Sequence, residues 1–295
     1  MTVFRPTKLL AGLFAAAIII GSIGGTPMQA NAQARMTKAT WLWDTSLIRA
    51  SAVDIVQFCK SNEINVIYLQ INRDVPLSDY ASFIRLAGEN GIEVHALDGR
   101  TTWGFTANRP SIDRSFDWLA RYQSAAAADE RFAGVHVDIE PYALPYWNKT
   151  GSDYIAQWQD NVRYIVQRAK DLQLPIAADI PFWLNGYKTP DGKETLSRWM
   201  MRHYGAVTIL AYRDTAKGIS DMAAAELTEA ADLNIPSTVG VETLQSPEGA
   251  NITFFEEGRT RMNEQLDQAA SLLSEHGTFA GVAIHDYKAW RAMRD

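Results

Sequence analysis

Short apolar runs alternate with longer amphipathic runs along most of the chain. The short runs are mostly apolar and are often preceded by Gly or Pro, as buried parallel strands are; they cover 39–44, 64–71, 92–98, 134–140, 175–180, 206–212, 236–242 and 279–285. Between them, apolar residues recur at three- and four-residue spacings, which predicts helices over 52–61, 79–90, 112–131, 154–172, 195–204, 222–234 and 256–276. Asn90-Gly91 and His276-Gly277 are typical of helix C-caps.

Repeated strand–helix alternation without an obvious linker predicts an α/β protein with a single closed (β/α)8 barrel. The alternative is an open, doubly wound sheet, but no Gly-rich phosphate loop follows the first strand. The length of 295 residues suits a barrel of roughly 250 residues preceded by a short leader. The hydrophobic share of 47% and the charged share of 21% are sufficient for a large buried core.

The first residues differ in composition from the rest of the chain. A positively charged start is followed by an apolar stretch over 9–20 and then by small residues that end at Ala32 and Ala34. This pattern predicts a signal peptide over 1–34, cleaved after Ala34 or Ala32, and a barrel domain over 35–295. A membrane anchor is the alternative, but the apolar stretch is shorter than the roughly 18 residues that a span needs. We therefore expect an exported protein, secreted or periplasmic, without a stable membrane span after cleavage.

Charge and cysteine content limit the chemistry further. The formal net charge is −6 and the chain lacks a basic run, which argues against nucleic-acid binding because phosphate neutralisation needs clustered Lys and Arg. Cys59 is the single cysteine and lies in an apolar helical pattern. We therefore interpret it as a buried hydrophobic residue rather than as a nucleophile.

Polar residues finish most of the predicted strands. In a barrel of this kind, the carboxyl ends of the strands surround one mouth, where the active site forms. The polar residues expected there are Asp44, Asn72, Arg73, Asp98, Arg100, Asp138, Glu140, Asp179, Tyr212, Arg213, Asp214, Glu242, His285 and Asp286, and the neighbouring aromatic residues are Trp43, Trp103, Tyr142, Trp147, Trp183 and Trp290. Asp44, Asp98 and Asp286 fit helix N-caps equally well.

Glu140 is the strongest catalytic candidate. It ends the fourth strand two residues after Asp138, and Pro141 follows it immediately. In an extended segment Asp138 and Glu140 point to the same side, and neighbouring carboxylates raise one another's proton affinity. A carboxyl group that stays protonated near neutral pH can act as a general acid. His136, on the same strand, is interpreted as a core histidine.

The segment 134–140 resembles the fourth-strand Asp-x-Glu signature of the family 18 chitinases, and 211–214 resembles their sixth-strand Tyr-Asp element. Trp290 is similar in position to their floor tryptophan. This resemblance implies that Glu140 protonates the glycosidic oxygen, that Asp138 orients a substrate N-acetyl group and that Tyr212 steadies that group. Here His136 stands where the signature has a further Asp, and Arg213 separates Tyr212 from Asp214.

A second resemblance is to the clan of retaining glycosidases that share this barrel. Glu140-Pro141 at strand four and Glu242 at strand seven are similar to their acid/base and nucleophile, although Ile139 takes the place of their usual Asn. Both resemblances assign proton donation to Glu140.

Together these observations predict a glycoside hydrolase that acts on a poly- or oligosaccharide with Glu140, Asp138, Glu242 and Tyr212 as catalytic residues. The residues expected to bind the carbohydrate are Trp43, Asp98, Trp103, Tyr142, Asp179, Arg213, Asp214, His285 and Trp290. We expect no cofactor and no metal. The alternatives are a non-catalytic carbohydrate-binding barrel and a metal-dependent hydrolase that uses Asp138, Glu140 and His285.

Overall fold

The computed structural model describes residues 36–145, 147 and 152–295, so the predicted signal peptide lies outside the described residues. Eight parallel strands pair in chain order, and the last pairs with the first, which closes a barrel. The strands are β1 (Thr37–Leu42), β2 (Val66–Gln70), β3 (Glu93–Asp98), β4 (Gly134–Val137), β5 (Ile176–Pro181), β6 (Val207–Leu210), β7 (Ser237–Glu242) and β8 (Phe279–His285). The predicted (β/α)8 fold is confirmed.

Helices follow the strands and form the outer layer. They are α1 (Leu47–Ala50), α2 (Ala52–Ser61), α3 (Leu77–Glu89), α4 (Arg109–Ala125), α5 (Ser152–Asp171), α6 (Leu196–Tyr204), α7 (Ala216–Leu233), α8 (Arg259–Leu273) and α9 (Tyr287–Ala292). The sequence pattern did not predict α1 or α9, which are short and lack a full amphipathic repeat. Asn90 is the C-cap of α3, as expected, whereas α8 ends at Leu273, before His276-Gly277.

The core has two parts. The larger one packs the outer faces of the strands against the helices, and it includes Cys59, which is fully buried. The smaller one fills the barrel interior around Trp41, Tyr68 and Leu97. Burial raises the pKa of the Cys59 thiol to about 12, so the thiol stays protonated and unreactive at neutral pH.

No helix in the described part of the chain is long and apolar enough to cross a membrane.

Candidate active site

The end of β4 presents two carboxyl groups at the mouth of the barrel. β4 ends at Val137, three residues earlier than the sequence predicts, but the Asp138 N–H still donates to the Asp98 carbonyl oxygen at 3.2 Å. Gly99 permits this close approach, because a Cβ at that position would lie 1.8 Å from the Asp138 carbonyl oxygen. A short 3-10 turn, Pro141–Ala143, begins directly after Glu140.

Glu140 is partly exposed, and its side chain contacts that of Tyr142. The Tyr142 hydroxyl donates a hydrogen bond to Glu140 Oε1 at 2.6 Å. Burial raises the pKa of Glu140; the Tyr142 hydrogen bond opposes this effect, and the negative charge of Asp179 adds to it. The net result is a carboxyl group that holds its proton to higher pH than a free glutamate, as a general acid requires.

Asp138 lies deeper than Glu140. Its Oδ1 is buried and accepts no hydrogen bond in the described part of the structure. Burial raises the pKa of Asp138 well above its usual value, and the charges of Asp179 and Glu140 raise it further. Both features favour the neutral acid over the carboxylate.

A buried polar network lies beneath these two carboxyl groups. Asp179, on β5, contacts His136 Nε2 through Oδ1 at 2.8 Å and accepts a hydrogen bond from Trp41 Nε1 through Oδ2 at 3.1 Å. The His136 ring stacks on Tyr68 with a centroid distance of 3.7 Å. His136 is completely buried, as the sequence predicted for a core histidine, and Asp179 is only 4% exposed, so it supports the site from below.

On the opposite side of the barrel, Glu242 and His285 are joined. His285 Nδ1 lies 3.0 Å from Glu242 Oε2, and Glu242 Oε1 accepts the backbone N–H groups of Thr243 at 2.7 Å and Leu244 at 2.8 Å. The Trp43 indole donates to His285 Nε2 at 2.8 Å. These partners contact both oxygens of the Glu242 carboxylate, which suits a positioning role better than a nucleophilic one.

The protonation state of His285 follows from its two contacts. Burial lowers the pKa of His285, but the Glu242 carboxylate more than offsets this effect, so the net direction is upward. The Trp43 N–H, however, needs the lone pair of Nε2, which a second proton would remove. The ring that satisfies both contacts is neutral and donates its Nδ1 proton to Glu242.

Tyr212 lies just beyond β6, and its ring centroid is 6.3 Å from that of His285. Burial raises the pKa of Tyr212 well above its usual value, and the negative charges of Glu242, Asp179, Asp138 and Glu140 raise it further. The phenol is therefore neutral at any physiological pH and is available as a hydrogen-bond donor to a ligand.

Several predicted site residues make contacts with the scaffold instead. Asp98 accepts hydrogen bonds from Ser115 at 2.5 Å and from the Gly99 N–H at 2.9 Å, so it ties β3 to α4. Arg213 donates to the Tyr212 carbonyl oxygen at 2.6 Å and lies over the Phe182 ring.

The remaining strand-end acids, Asp214, Asp286 and Asp44, also contact the scaffold. The backbone N–H of Asp214 donates to the Asn251 carbonyl oxygen. Burial raises the pKa of Glu257, and the negative charge of the nearby Asp214 carboxylate raises it further. Asp286 is an N-cap, since its carboxylate accepts the Ala289 N–H at 2.9 Å. Asp44 accepts a hydrogen bond from Ser46 at 2.5 Å.

Two tryptophans that were expected to bind carbohydrate are buried in the protein instead. Trp103 is 1% exposed and donates to Ser111 at 3.1 Å, at the start of α4. Trp290 is completely buried on α9 and packs edge-on against Phe58 of α2, with ring centroids 5.2 Å apart. Trp290 is buried because it lies on the side of α9 that faces the barrel wall. Its closeness to β8 in the sequence does not show which side of the helix it occupies.

An aromatic group completes the β4–β5 side of the mouth. Trp183 follows β5 and contacts the Tyr142 ring edge-on at 4.8 Å, and Tyr187 lies 5.6 Å from Trp183. The sequence placed Trp183 near the mouth but did not identify Tyr187, and it gave no indication that Trp41 binds Asp179. The alternation of side chains along β1 is the signal that assigns Trp41 to the barrel interior.

No group of three or more His, Cys, Asp or Glu side chains within the described residues is arranged to hold a metal ion. The set that the metal-hydrolase alternative requires is therefore not assembled in this part of the chain.

Comparison with known proteins adds evidence about the fold. No family model and no curated protein matches the sequence. A chitinase from Chromobacterium violaceum is 12% identical, with 88% of this chain and 98% of that chain covered and a TM-score of 0.52. A family 18 chitinase from Cycas revoluta, solved in complex with (GlcNAc)4, is 11% identical, with 86% and 95% covered and a TM-score of 0.55.

The same comparison also finds a sugar epimerase. A D-psicose 3-epimerase from Clostridium cellulolyticum, solved with D-tagatose, is 8% identical, with 85% of each chain covered and a TM-score of 0.50. The expected resemblance to the barrel glycoside hydrolases, and to family 18 among them, is confirmed at the level of the fold. Because an epimerase shares that fold, the reaction has to be argued from the site itself.

Proposed function

We propose that this chain is an exported glycoside-hydrolase-like enzyme in which Glu140 donates a proton to the departing glycosidic oxygen. The observation that carries the proposal is the state of Glu140. It is a partly exposed carboxyl group at the end of β4, and burial and the charge of Asp179 raise its pKa. The support for export comes solely from the sequence composition of residues 1–34.

The neighbouring groups support defined roles around this proton donor. Asp138, held neutral by burial, and the Tyr212 phenol would contact the substrate as hydrogen-bond donors. Glu242, whose two oxygens already accept hydrogen bonds, would orient His285 and through it Trp43 rather than attack the sugar. Trp183 and Tyr142 would pack against the apolar face of a pyranose ring.

The test is the Glu140→Gln variant, which keeps the shape of the side chain and removes its transferable proton. (GlcNAc)4 is the first substrate to try, because a chitinase of this fold is solved with it, and other oligosaccharides complete the panel. We expect hydrolysis to fall by at least about 100-fold, the low end for general acid catalysis. Sugar affinity, measured by calorimetry, should change little.

Glu89→Gln provides the matched control, because Glu89 is an exposed residue at the end of α3 and undergoes the same chemical change. This control should retain wild-type turnover. Wild-type turnover in Glu140→Gln would contradict the proposal. Sugar binding by the wild-type protein without any release of reducing ends would instead indicate a carbohydrate-binding protein.

A further inference from the structure

A buried glutamate on the outer face of the barrel has no role in the proposed chemistry. Glu226, on α7, is 0% exposed. Its Oε1 accepts the backbone N–H of Asn185 at 3.1 Å, whereas its Oε2 is buried without a hydrogen-bond partner in the described part of the structure. Burial raises the pKa of Glu226 to about 7. Its protonation therefore changes within the physiological range.

The backbone that Glu226 holds carries the aromatic side of the mouth. Asn185 is the central residue of the 3-10 turn Leu184–Gly186, and Trp183 and Tyr187 lie on either side of that turn. The Trp183 ring contacts Tyr142 at 4.8 Å, and Tyr142 in turn donates to Glu140. The turn is thus linked to the candidate general acid through the Trp183–Tyr142 ring contact and the hydrogen bond from Tyr142 to Glu140.

The charges near Glu226 do not neutralise it. Burial is the main cause that raises the pKa of Glu226. The negative charge of Glu229, one helical turn further along α7, raises it further, and the hydrogen bond from the Asn185 N–H lowers it. The Glu229 carboxylate is itself bound by the hydroxyl groups of Thr195 and Ser197. Further along the contact between α6 and α7, Arg198 pairs with Asp232 at 2.9 Å.

We propose that Glu226 is a positioning residue for the aromatic wall formed by Trp183 and Tyr187. While its carboxyl group is neutral, it holds the Leu184–Gly186 turn against α7. When the carboxyl group releases its proton to solvent, its Oε2 carries buried negative charge without a hydrogen-bond partner among the described residues, and solvating that oxygen requires the turn to open. The wall then loses its fixed position. That Trp183 of this wall packs against a pyranose ring rests on the proposed function.

Hydrogen exchange at the Asn185 amide tests this inference without any substrate. For a carboxyl group whose pKa is 4.5 when the turn is open and about 7 when it is closed, proton linkage predicts about tenfold more opening at about pH 8 than at about pH 6. After correction for intrinsic exchange, the protection of Asn185 should fall by that factor in the wild-type protein. It should stay constant in Glu226→Gln, whose amide mimics the neutral acid.

The Ala289 amide is an internal control, because it too donates to a side-chain carboxylate, namely that of Asp286. Its protection should not follow the pattern of Asn185. If the protection of Asn185 is equally pH-dependent in the wild-type protein and in Glu226→Gln, the inference is wrong. Should the variant fail to fold, a pH-independent Asn185 in the wild-type protein is sufficient to overturn it.

A second measurement connects the turn to ligand binding. The affinity for (GlcNAc)4 is measured against pH in Glu140→Gln, where Glu140 no longer titrates, and in the same variant with Glu226→Gln added. Affinity should weaken above neutral pH in the first protein and weaken less in the second. If neither protein binds any sugar, the proposed function fails, and the exchange result still decides the role of Glu226. If both bind with the same pH dependence, Glu226 has no part in ligand binding.

Discussion

Replacing Glu226 by Gln should change how the stability of the whole protein depends on pH. An unperturbed glutamate has a pKa of 4.5, and burial raises the pKa of Glu226 to about 7 in the folded protein. The folded state therefore holds a proton that the unfolded state has already released between these two values. The contribution of this neutral carboxyl group to the free energy of unfolding is therefore fully present below about pH 4.5. It is lost progressively as the pH rises through about 7.

The size of the effect follows from the same interval. About 2.5 pH units, at about 1.4 kcal/mol per unit, correspond to roughly 3 kcal/mol, an upper limit that local opening of the turn reduces. Gln stays neutral at every pH, so Glu226→Gln escapes this loss. Relative to the wild-type protein, the variant should gain up to about 3 kcal/mol on going from about pH 4 to about pH 8.

Urea unfolding at a series of pH values measures this difference. Titrating groups that do not interact with Glu226 contribute equally to both proteins, so they cancel when the two free energies of unfolding are subtracted. Glu275→Gln is the control, since Glu275 is exposed just after α8 and its variant should follow the wild-type protein at every pH. A difference between wild type and Glu226→Gln that does not vary with pH would refute the argument from burial.

Three further predictions concern other parts of the structure. Tyr142→Phe removes the hydrogen bond that lowers the pKa of Glu140, so the high-pH limb of the kcat/KM profile should move to higher pH; an unmoved or lowered limb would contradict the assignment. Trp290→Ala should destabilise the protein by about 3–5 kcal/mol in urea unfolding, as the loss of a core tryptophan does, whereas a mild effect would mean that the indole is not packed as described. Cys59 should react with a thiol reagent only after denaturation, and rapid labelling of the native protein would contradict the burial of its thiol.

The sequence was sufficient to predict the barrel, and the reason is physical. A strand buried on both faces needs a continuous apolar run, and each of the eight runs matches a strand of the structure within a few residues. The largest difference at a single strand end is at the C-terminal end of β4, which ends at Val137 because the chain turns toward Pro141. That shift leaves Asp138 and Glu140 beyond the strand end, which is the position that a site at the mouth requires.

The contacts within the site were less predictable. Strand ends meet at one mouth in any such barrel, so the sequence could place Asp138, Glu140 and Glu242 on the same face. It could not show that Glu242 is bound by His285, because the angle between two strands and the rotamers of their last residues decide that contact.

The rotation of the helices is a further limit on what the sequence can predict. Trp290 lies five residues after His285, yet α9 directs its indole toward α2. Glu226 also lacked a signal, because an acidic residue within an amphipathic helix is ordinarily solvated, and only the packing of the Leu184–Gly186 turn against α7 buries it.

Proton donation by Glu140 is tested most directly by varying the leaving group. An aryl glycoside with an acidic phenol departs without protonation, whereas a sugar alcohol needs the proton. We predict that Glu140→Gln loses most of its kcat/KM on oligosaccharides and retains far more of it on glycosides of increasingly acidic phenols. An equal loss on every leaving group, or no loss on any of them, would contradict the role of Glu140 as the general acid.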